Sequence, residues 1–155
     1  MKTSESKTGP RGLRNCNPLN IRHSAGNRWV GQQGHEGGFC VFVDIRHGLR
    51  AAFRLLRTYQ MRYGCWSVGD IIRRWAPETE NNTQGYIRRV CDCMRCEAEF
   101  IPHFGTVEEK EDCCRMVAAM AMVELGGEYI TPAAIEEAYE FAFFNTPDYG
   151  SASAL

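Results

Sequence analysis

The segment TVEEKEDCCRMVAAMAMVELGG, residues 106–127, predicts the helix around which the rest of the chain is arranged. Thr106 can act as its N-cap, and Glu109 stands three residues later, as in a capping box. Residues 117–121 then begin an apolar stripe at helical spacing. The next member of that stripe is Glu124, after which two glycines end the helix. A carboxyl group thus stands where a buried apolar side chain is expected.

The position of Glu124 has two interpretations. A carboxyl group at the end of an apolar helix face is partly desolvated, and desolvation disfavours the ionised form of such a group. A carboxylic acid that keeps its proton near neutral pH is what a glycosidase uses to protonate its leaving group. The alternative is a glutamate whose side chain reaches solvent at a frayed helix end. The spacing alone leaves both open.

Length and charge narrow the class of protein. The 155 residues suffice for one domain with one core, which we place at residues 11–144 between a disordered lead-in (1–10) and a loose tail (145–155). The net charge of -1 implies no strong electrostatic attraction to nucleic acid. No apolar run has the length of a membrane span, and the polar N-terminus does not resemble a signal peptide.

The eight cysteines are expected to be reduced, since no export signal is visible. A cluster of three with a following histidine could bind zinc, although paired CxxC modules are lacking: Cys91, Cys93, Cys96 and His103. Cysteines that serve as small apolar core residues are favoured over this alternative. We therefore expect no metal and no cofactor.

The segment RGLRNCNPLNIR, residues 11–22, contains three asparagines, Asn15, Asn17 and Asn20. Pro18 excludes a helix interior, because it lacks an N–H group and biases the preceding residue towards extended geometry. Carboxamides donate and accept hydrogen bonds at once, which suits sugar hydroxyl and N-acetyl groups. The alternative is a loop that is held together by its own asparagine side chains.

The remaining pattern predicts a hairpin and four further helices. Trp29-Val30 and residues 39–43 are short β-prone runs on either side of a glycine-rich interval. The helices are expected from Asp44 to Gly64, from the N-cap Ser67 to Pro77, from the N-cap Thr83 to about Met94, and from Thr131-Pro132 onwards. The expected fold is therefore mostly α, an α+β chain of about five helices with a small β-hairpin.

Several of these segments together resemble a known group of proteins. Asn15–Arg22 is similar to the Asn-Asn-Leu-Phe-Gly-Ile-Lys signature of bacterial glucosaminidases. The combination of motifs is most similar to a phage and Bacteroides-type lysozyme-like group that is sometimes labelled virion structural protein. The further segments that carry this resemblance are Trp29–Gly31, His47–Arg50, Trp75–Pro77, Glu80–Thr83, Tyr86–Val90 and Glu124–Gly126. The resemblance spans residues 11–127 and implies a lysozyme-like helical domain with peptidoglycan as the substrate class.

The sequence departs from that group in two respects. The catalytic glutamate of glucosaminidases and lytic transglycosylases closes a helix before the asparagine motif, whereas only Glu5 precedes it here. The helix that ends at Glu124 resembles that catalytic helix moved to the end, a circular permutation that neighbouring chain termini permit. Cys16 and Leu19 replace an asparagine and a glycine of the group. These replacements keep open a non-catalytic phage virion structural or glycan-binding protein.

The resemblance implies a mechanism and partners. Glu124 would be the general acid of a muramidase, glucosaminidase or lytic transglycosylase, with Glu80 as a second carboxylate or with the sugar's own 2-acetamido or 6-hydroxyl group as the nucleophile. Tyr86 would contact the developing charge or the acetamido group. Asn15, Asn17 and Asn20 would bind and orient the sugar. The expected partners are peptidoglycan glycan strands and phage virion components; made in the cytoplasm, the protein would act at the cell wall or in a phage particle.

Overall fold

The computed structural model describes residues 8–144, so the predictions for residues 1–7 and 145–155 lie outside it. The elements of this part are α1 (Arg11–Arg14), β1 (Gln32–Glu36), β2 (Phe39–Phe42), α2 (Ile45–Tyr63), α3 (Val68–Trp75), α4 (Thr83–Met94), α5 (Lys110–Leu125) and α6 (Pro132–Phe143). The predicted class, mostly α with a small hairpin, is confirmed. The additional helix is α1, a single turn. Within the described residues no helix combines the length and apolar character that a membrane span requires.

Helix α5 lies at the centre of the molecule. Its buried side chains fall on most of its circumference: Cys113, Cys114, Met116, Val117, Ala119, Met120, Ala121 and Leu125. A helix that is apolar on most sides must be enclosed by other elements. Helices α1, α4 and α6 pack against it, and α2 packs in turn against α6. The end of α5 is as predicted, with Gly126 in the left-handed conformation at φ 76°.

The start of α5 differs from the prediction. The helix begins at Lys110, because a turn at residues 107–109 intervenes. The hydroxyl of Thr106 accepts from the backbone N–H of Glu109, as predicted, and donates to the carbonyl of His103. The carboxylate of Glu109 does not close a capping box, since it accepts hydrogen bonds from the backbone N–H and Nδ1 of His103. The Thr106 half of the predicted capping box is therefore formed, whereas the nearby His103 takes the carboxylate of Glu109.

The first strand also differs from the prediction. It is Gln32–Glu36 rather than Trp29-Val30, and it pairs antiparallel with β2 through Glu36 and Phe39. Gly37 and Gly38 connect the strands with φ of 61° and 88°, the left-handed values that a two-residue hairpin turn requires. Trp29 is buried instead, and its backbone N–H donates to the side chain of Gln32.

Helix α2 positions the asparagine loop, which we define as residues 15–22. A Cβ atom at Gly48 would collide with the carbonyl oxygen of Cys16 and lie 3.1 Å from Cδ of Pro18. Only glycine therefore lets α2 approach this loop so closely. The side chain of Asp44 caps the helix by accepting from the backbone N–H of His47. Burial would raise the pKa of Asp44, but the hydrogen bonds from His47 outweigh it and lower the pKa.

Candidate functional site

The carboxyl group of Glu124 is the centre of the candidate site. It lies in the last turn of α5 and is partly buried. It accepts hydrogen bonds from Asn20 Nδ2 at 3.0 Å, from Trp75 Nε1 at 3.2 Å and from the Tyr86 hydroxyl at 3.0 Å. These donors come from the asparagine loop, α3 and α4. Glu124 is therefore held by three separate parts of the fold, which the alternative of a frayed, solvated helix end does not predict.

Tyr86 contacts Glu124 from the buried side of the site. The residue is 7% exposed, and burial raises the pKa of its hydroxyl well above 10, with the charge of Glu124 and the hydrogen bond to it adding to the effect. The phenol consequently keeps its proton. In this structure its hydroxyl contacts Glu124, whereas the sequence interpretation assigned it to the sugar.

Asn20 connects Glu124 to a cation. Its side-chain oxygen accepts from Arg11 Nε at 3.3 Å while its Nδ2 donates to Glu124. The arginine can only donate, so this contact fixes which end of the amide faces the carboxylate. The backbone of Asn20 is left-handed at φ 54°, a conformation that asparagine tolerates better than most residues. Asn20 is thus oriented by its backbone and by its neighbour.

The other two asparagines lie away from the site. Asn17 is fully buried, and its side chain bonds to the backbone of Ile21 and to the carbonyl of Cys40 at 2.9–3.0 Å. Asn15 is 5% exposed, and its carbonyl accepts from the N–H of Phe42. Burial makes both amides inaccessible in this structure, so the structure does not support the prediction that Asn15 and Asn17 bind a sugar. Their side chains and backbone instead hold the loop, which is the alternative interpretation of this segment.

Glu124 opens onto a groove with a volume of about 490 Å³, which we name the Glu124 groove. Its polar lining contains Glu80, whose side chain is 64% exposed and lies 3.9 Å from Arg22. The remaining lining residues are Arg11, Asn20, Ile21, Phe39, Leu55, Tyr59, Arg74, Trp75, Ala76, Pro77 and Asn81. The structure therefore brings Glu124, Asn20 and Glu80 to one groove, with Tyr86 bonded to Glu124 from behind.

Sequence reasoning missed Trp75 and Arg11 as members of this site. Trp75 falls in the helix predicted from Ser67 to Pro77, but its indole N–H reaches Glu124 across 49 positions of sequence. The Trp-Ala-Pro motif that precedes the Glu80 loop was the available signal. Arg11 carried no signal of its own, since its role depends on the left-handed turn at Asn20.

The histidine of the zinc alternative has another partner. His103 Nδ1 lies 2.9 Å from a carboxylate oxygen of Glu109, and all eight cysteines are free thiols. Burial raises the pKa of Cys96 to about 11, which disfavours the thiolate that zinc binds. Between residues 8 and 144 no three histidine, cysteine or acidic side chains are grouped to hold a metal ion.

Comparison with known proteins gives one informative relative. No family model matches the sequence. The chain is 38% identical over 140 residues to protein P5 of Pseudoalteromonas phage PM2. The alignment covers 86% of this chain and 82% of the phage protein, so the likeness extends over nearly the whole of both.

Proposed function

This chain belongs to the same family as protein P5 of Pseudoalteromonas phage PM2, and from that premise we propose that it is a phage-particle protein whose Glu124 groove binds a glycan strand of bacterial peptidoglycan. The relative is a phage protein, which supports a role of this chain in a phage. The groove supports the ligand, because it combines a carboxylate, an amide and an indole ring with room for sugars. The resemblance to the lysozyme-like group supports peptidoglycan over other glycans.

The proposal includes a catalytic role for Glu124. As the general acid it would protonate the glycosidic oxygen, so that the bond to the anomeric carbon breaks and the leaving sugar departs as an alcohol. The new bond to the anomeric carbon would come from a water molecule that Glu80, on the same groove, activates, or from the 6-hydroxyl of the same sugar, which leaves an anhydro sugar. The observation that carries this role is a carboxyl group that is held by three neutral donors and still lines an open groove.

A general acid at Glu124 would need a neighbour that can accept a hydrogen bond from its carboxyl group, and Tyr86 is the candidate. The amide N–H of Asn20 and the indole N–H of Trp75 can only donate, whereas a hydroxyl group can donate or accept. When Glu124 carries a proton, the Tyr86 hydroxyl can rotate and accept it as a hydrogen bond. Asn20 and Trp75 then hold the carboxyl group in place.

The test of catalysis is mass spectrometry of fragments released from purified peptidoglycan sacculi. Wild-type protein is expected to release muropeptides, and Glu124→Gln is expected to release them at least about a hundredfold more slowly, since a general acid typically contributes that much. Glu128→Gln, an exposed carboxylate outside the groove, is the matched control and should retain the wild-type rate. Anhydro-sugar ends would identify a lytic transglycosylase and reducing ends a hydrolase. Equal release by Glu124→Gln and wild type would exclude this role.

A second candidate is a virion structural or glycan-binding protein without catalysis. The relative supports a phage protein without supporting glycosidase activity. Leu19, where the lysozyme-like group has glycine, is fully buried, so this replacement serves the core. Under this alternative, wild-type protein sediments with sacculi but releases no muropeptides, and Glu124→Gln sediments equally well.

A further inference from the structure

Three arginines line the Glu124 groove: Arg11, Arg22 and Arg74. The acidic side chains that line it are Glu80 and Glu124. The groove thus has a surplus of positive charge, although the net charge of the whole chain is -1.

Aromatic rings support all three guanidinium groups. Arg11 lies 3.8 Å and Arg22 lies 5.0 Å from the centroid of the Phe39 ring. Arg74 lies 3.7 Å from the centroid of the Tyr63 ring. A guanidinium group that stacks on a ring uses its flat face, and its N–H edges stay available for carboxylate oxygens. The rings therefore preorganise the cations without consuming their hydrogen-bonding capacity.

The carboxylates of the groove do not neutralise these cations effectively. Glu80 and Arg22 are 64% and 71% exposed and lie 3.9 Å apart, so this pair is weak and easily exchanged for a ligand. Glu124 accepts its hydrogen bonds from Asn20, Trp75 and Tyr86. A ligand that brings its own carboxylates would complement the groove better than a neutral glycan.

We propose that the Glu124 groove selects glycan strands that carry carboxylates, and that Arg22 and Arg74 read this charge. The inference rests on the proposed function and specifies its ligand. In peptidoglycan the carboxylate comes either from the lactyl group of N-acetylmuramic acid or from the stem peptide. A neutral polymer of N-acetylglucosamine has the same backbone but lacks both sources.

The test is calorimetric titration with three tetrasaccharides in the Glu124→Gln background, which prevents cleavage. The ligands are a peptide-free tetrasaccharide of alternating N-acetylglucosamine and N-acetylmuramic acid, the same glycan with stem peptides, and neutral chitotetraose. Of the two glycans that contain N-acetylmuramic acid, the one that binds more tightly should have an affinity about tenfold higher than that of chitotetraose at low salt, because bidentate arginine–carboxylate pairs are strong. High salt should reduce that ratio, since these side chains are solvent-accessible.

Arginine variants identify the side chains that cause the preference for acidic glycans. Arg22→Gln should reduce the ratio of the affinity for the acidic glycan to that for chitotetraose, and adding Arg74→Gln should reduce it to about one. Each substitution removes one charge-assisted contact. Arg88→Gln removes an exposed arginine of α4 outside the groove and should leave the ratio unchanged. The better of the two acidic ligands identifies the source of the carboxylate.

The outcomes separate this inference from the proposed function. Equal binding of acidic and neutral glycans, or an unchanged ratio in the arginine variants, overturns the inference while the glycan groove stands. Binding of none of the three glycans, also by wild-type protein, overturns both proposals.

Discussion

Asn17 and Asn20 lie three residues apart in one loop, but their side chains have different environments. Asn17 makes three hydrogen bonds to buried backbone groups, whereas Asn20 bonds to two side chains at the edge of the groove. Asn17→Ala leaves buried donors and acceptors unpaired and should lower the free energy of unfolding by about 2–4 kcal/mol. Asn20→Ala should cost about 1–2 kcal/mol, because alanine tolerates the left-handed backbone less well, and it should weaken glycan binding.

Urea unfolding and glycan titration of both variants measure these two effects. If Asn20→Ala unfolds as easily as Asn17→Ala while binding glycan normally, the division of roles between the two asparagines is incorrect.

The residues of the site differ in how far sequence could identify them. Glu124 was identifiable because a carboxyl group interrupts an apolar stripe within one helix, which is a local signal. The three asparagines were not separable, since their composition and spacing are alike and only the fold buries two of them. Trp75 and Arg11 belong to the site through tertiary contacts, which the spacing of apolar residues in the sequence does not predict.

At the scale of elements, the packing of α2 against the asparagine loop sets the position of Asn20. A methyl group at Gly48 would meet the carbonyl of Cys16 within the helix–loop contact. Gly48→Ala should therefore lower the free energy of unfolding by about 1–3 kcal/mol, despite the better helix propensity of alanine. It should also weaken glycan binding, because the loop that carries Asn20 must move away from α2.

Gly34→Ala is the control for this prediction, since a Cβ there has no neighbour within 4 Å. Thermal unfolding of both variants gives the comparison. A Gly48→Ala protein that is as stable as wild type would show that the loop does not depend on this close approach.

The sequence predicted the elements whose ends depend on neighbouring residues. It did not predict the elements whose ends depend on contacts with other parts of the fold. Ser67 and Thr131 cap α3 and α6 as expected, because an N-cap bonds to its own helix. Asn82 rather than Thr83 caps α4, since the Thr83 hydroxyl donates to the carbonyl of Ala76. Strand β1 has the sequence QQGHE, which has little β-propensity, and its pairing with β2 determines it.

At the scale of the whole molecule, the site is assembled from distant parts of the sequence. Asn20 and Glu124 are 104 positions apart, and α1, just before the asparagine loop, packs directly against α5. The resemblance to a lysozyme-like group, with the acidic helix moved behind the asparagine motif, predicts a contact of this kind. The circular permutation itself stays a prediction.

A second cavity of about 300 Å³ provides an internal comparison for the Glu124 groove. It lies between α5 and α6, and its lining includes Ala118, Met122 and Ile135. Glu124, Asn20 and the arginines of the groove are not part of its lining. A glycan that bound there would contradict the assignment of the groove.

The most direct measurement is a glycan titration followed by nuclear magnetic resonance of the three tryptophan indole N–H groups. Trp75 donates to Glu124 in the groove, whereas Trp29 is buried elsewhere and Trp66 is not part of the groove lining. The account predicts that a peptidoglycan tetrasaccharide shifts the Trp75 signal in proportion to occupancy and leaves those of Trp29 and Trp66 nearly unchanged. A saturating glycan that leaves the Trp75 signal in place would contradict it.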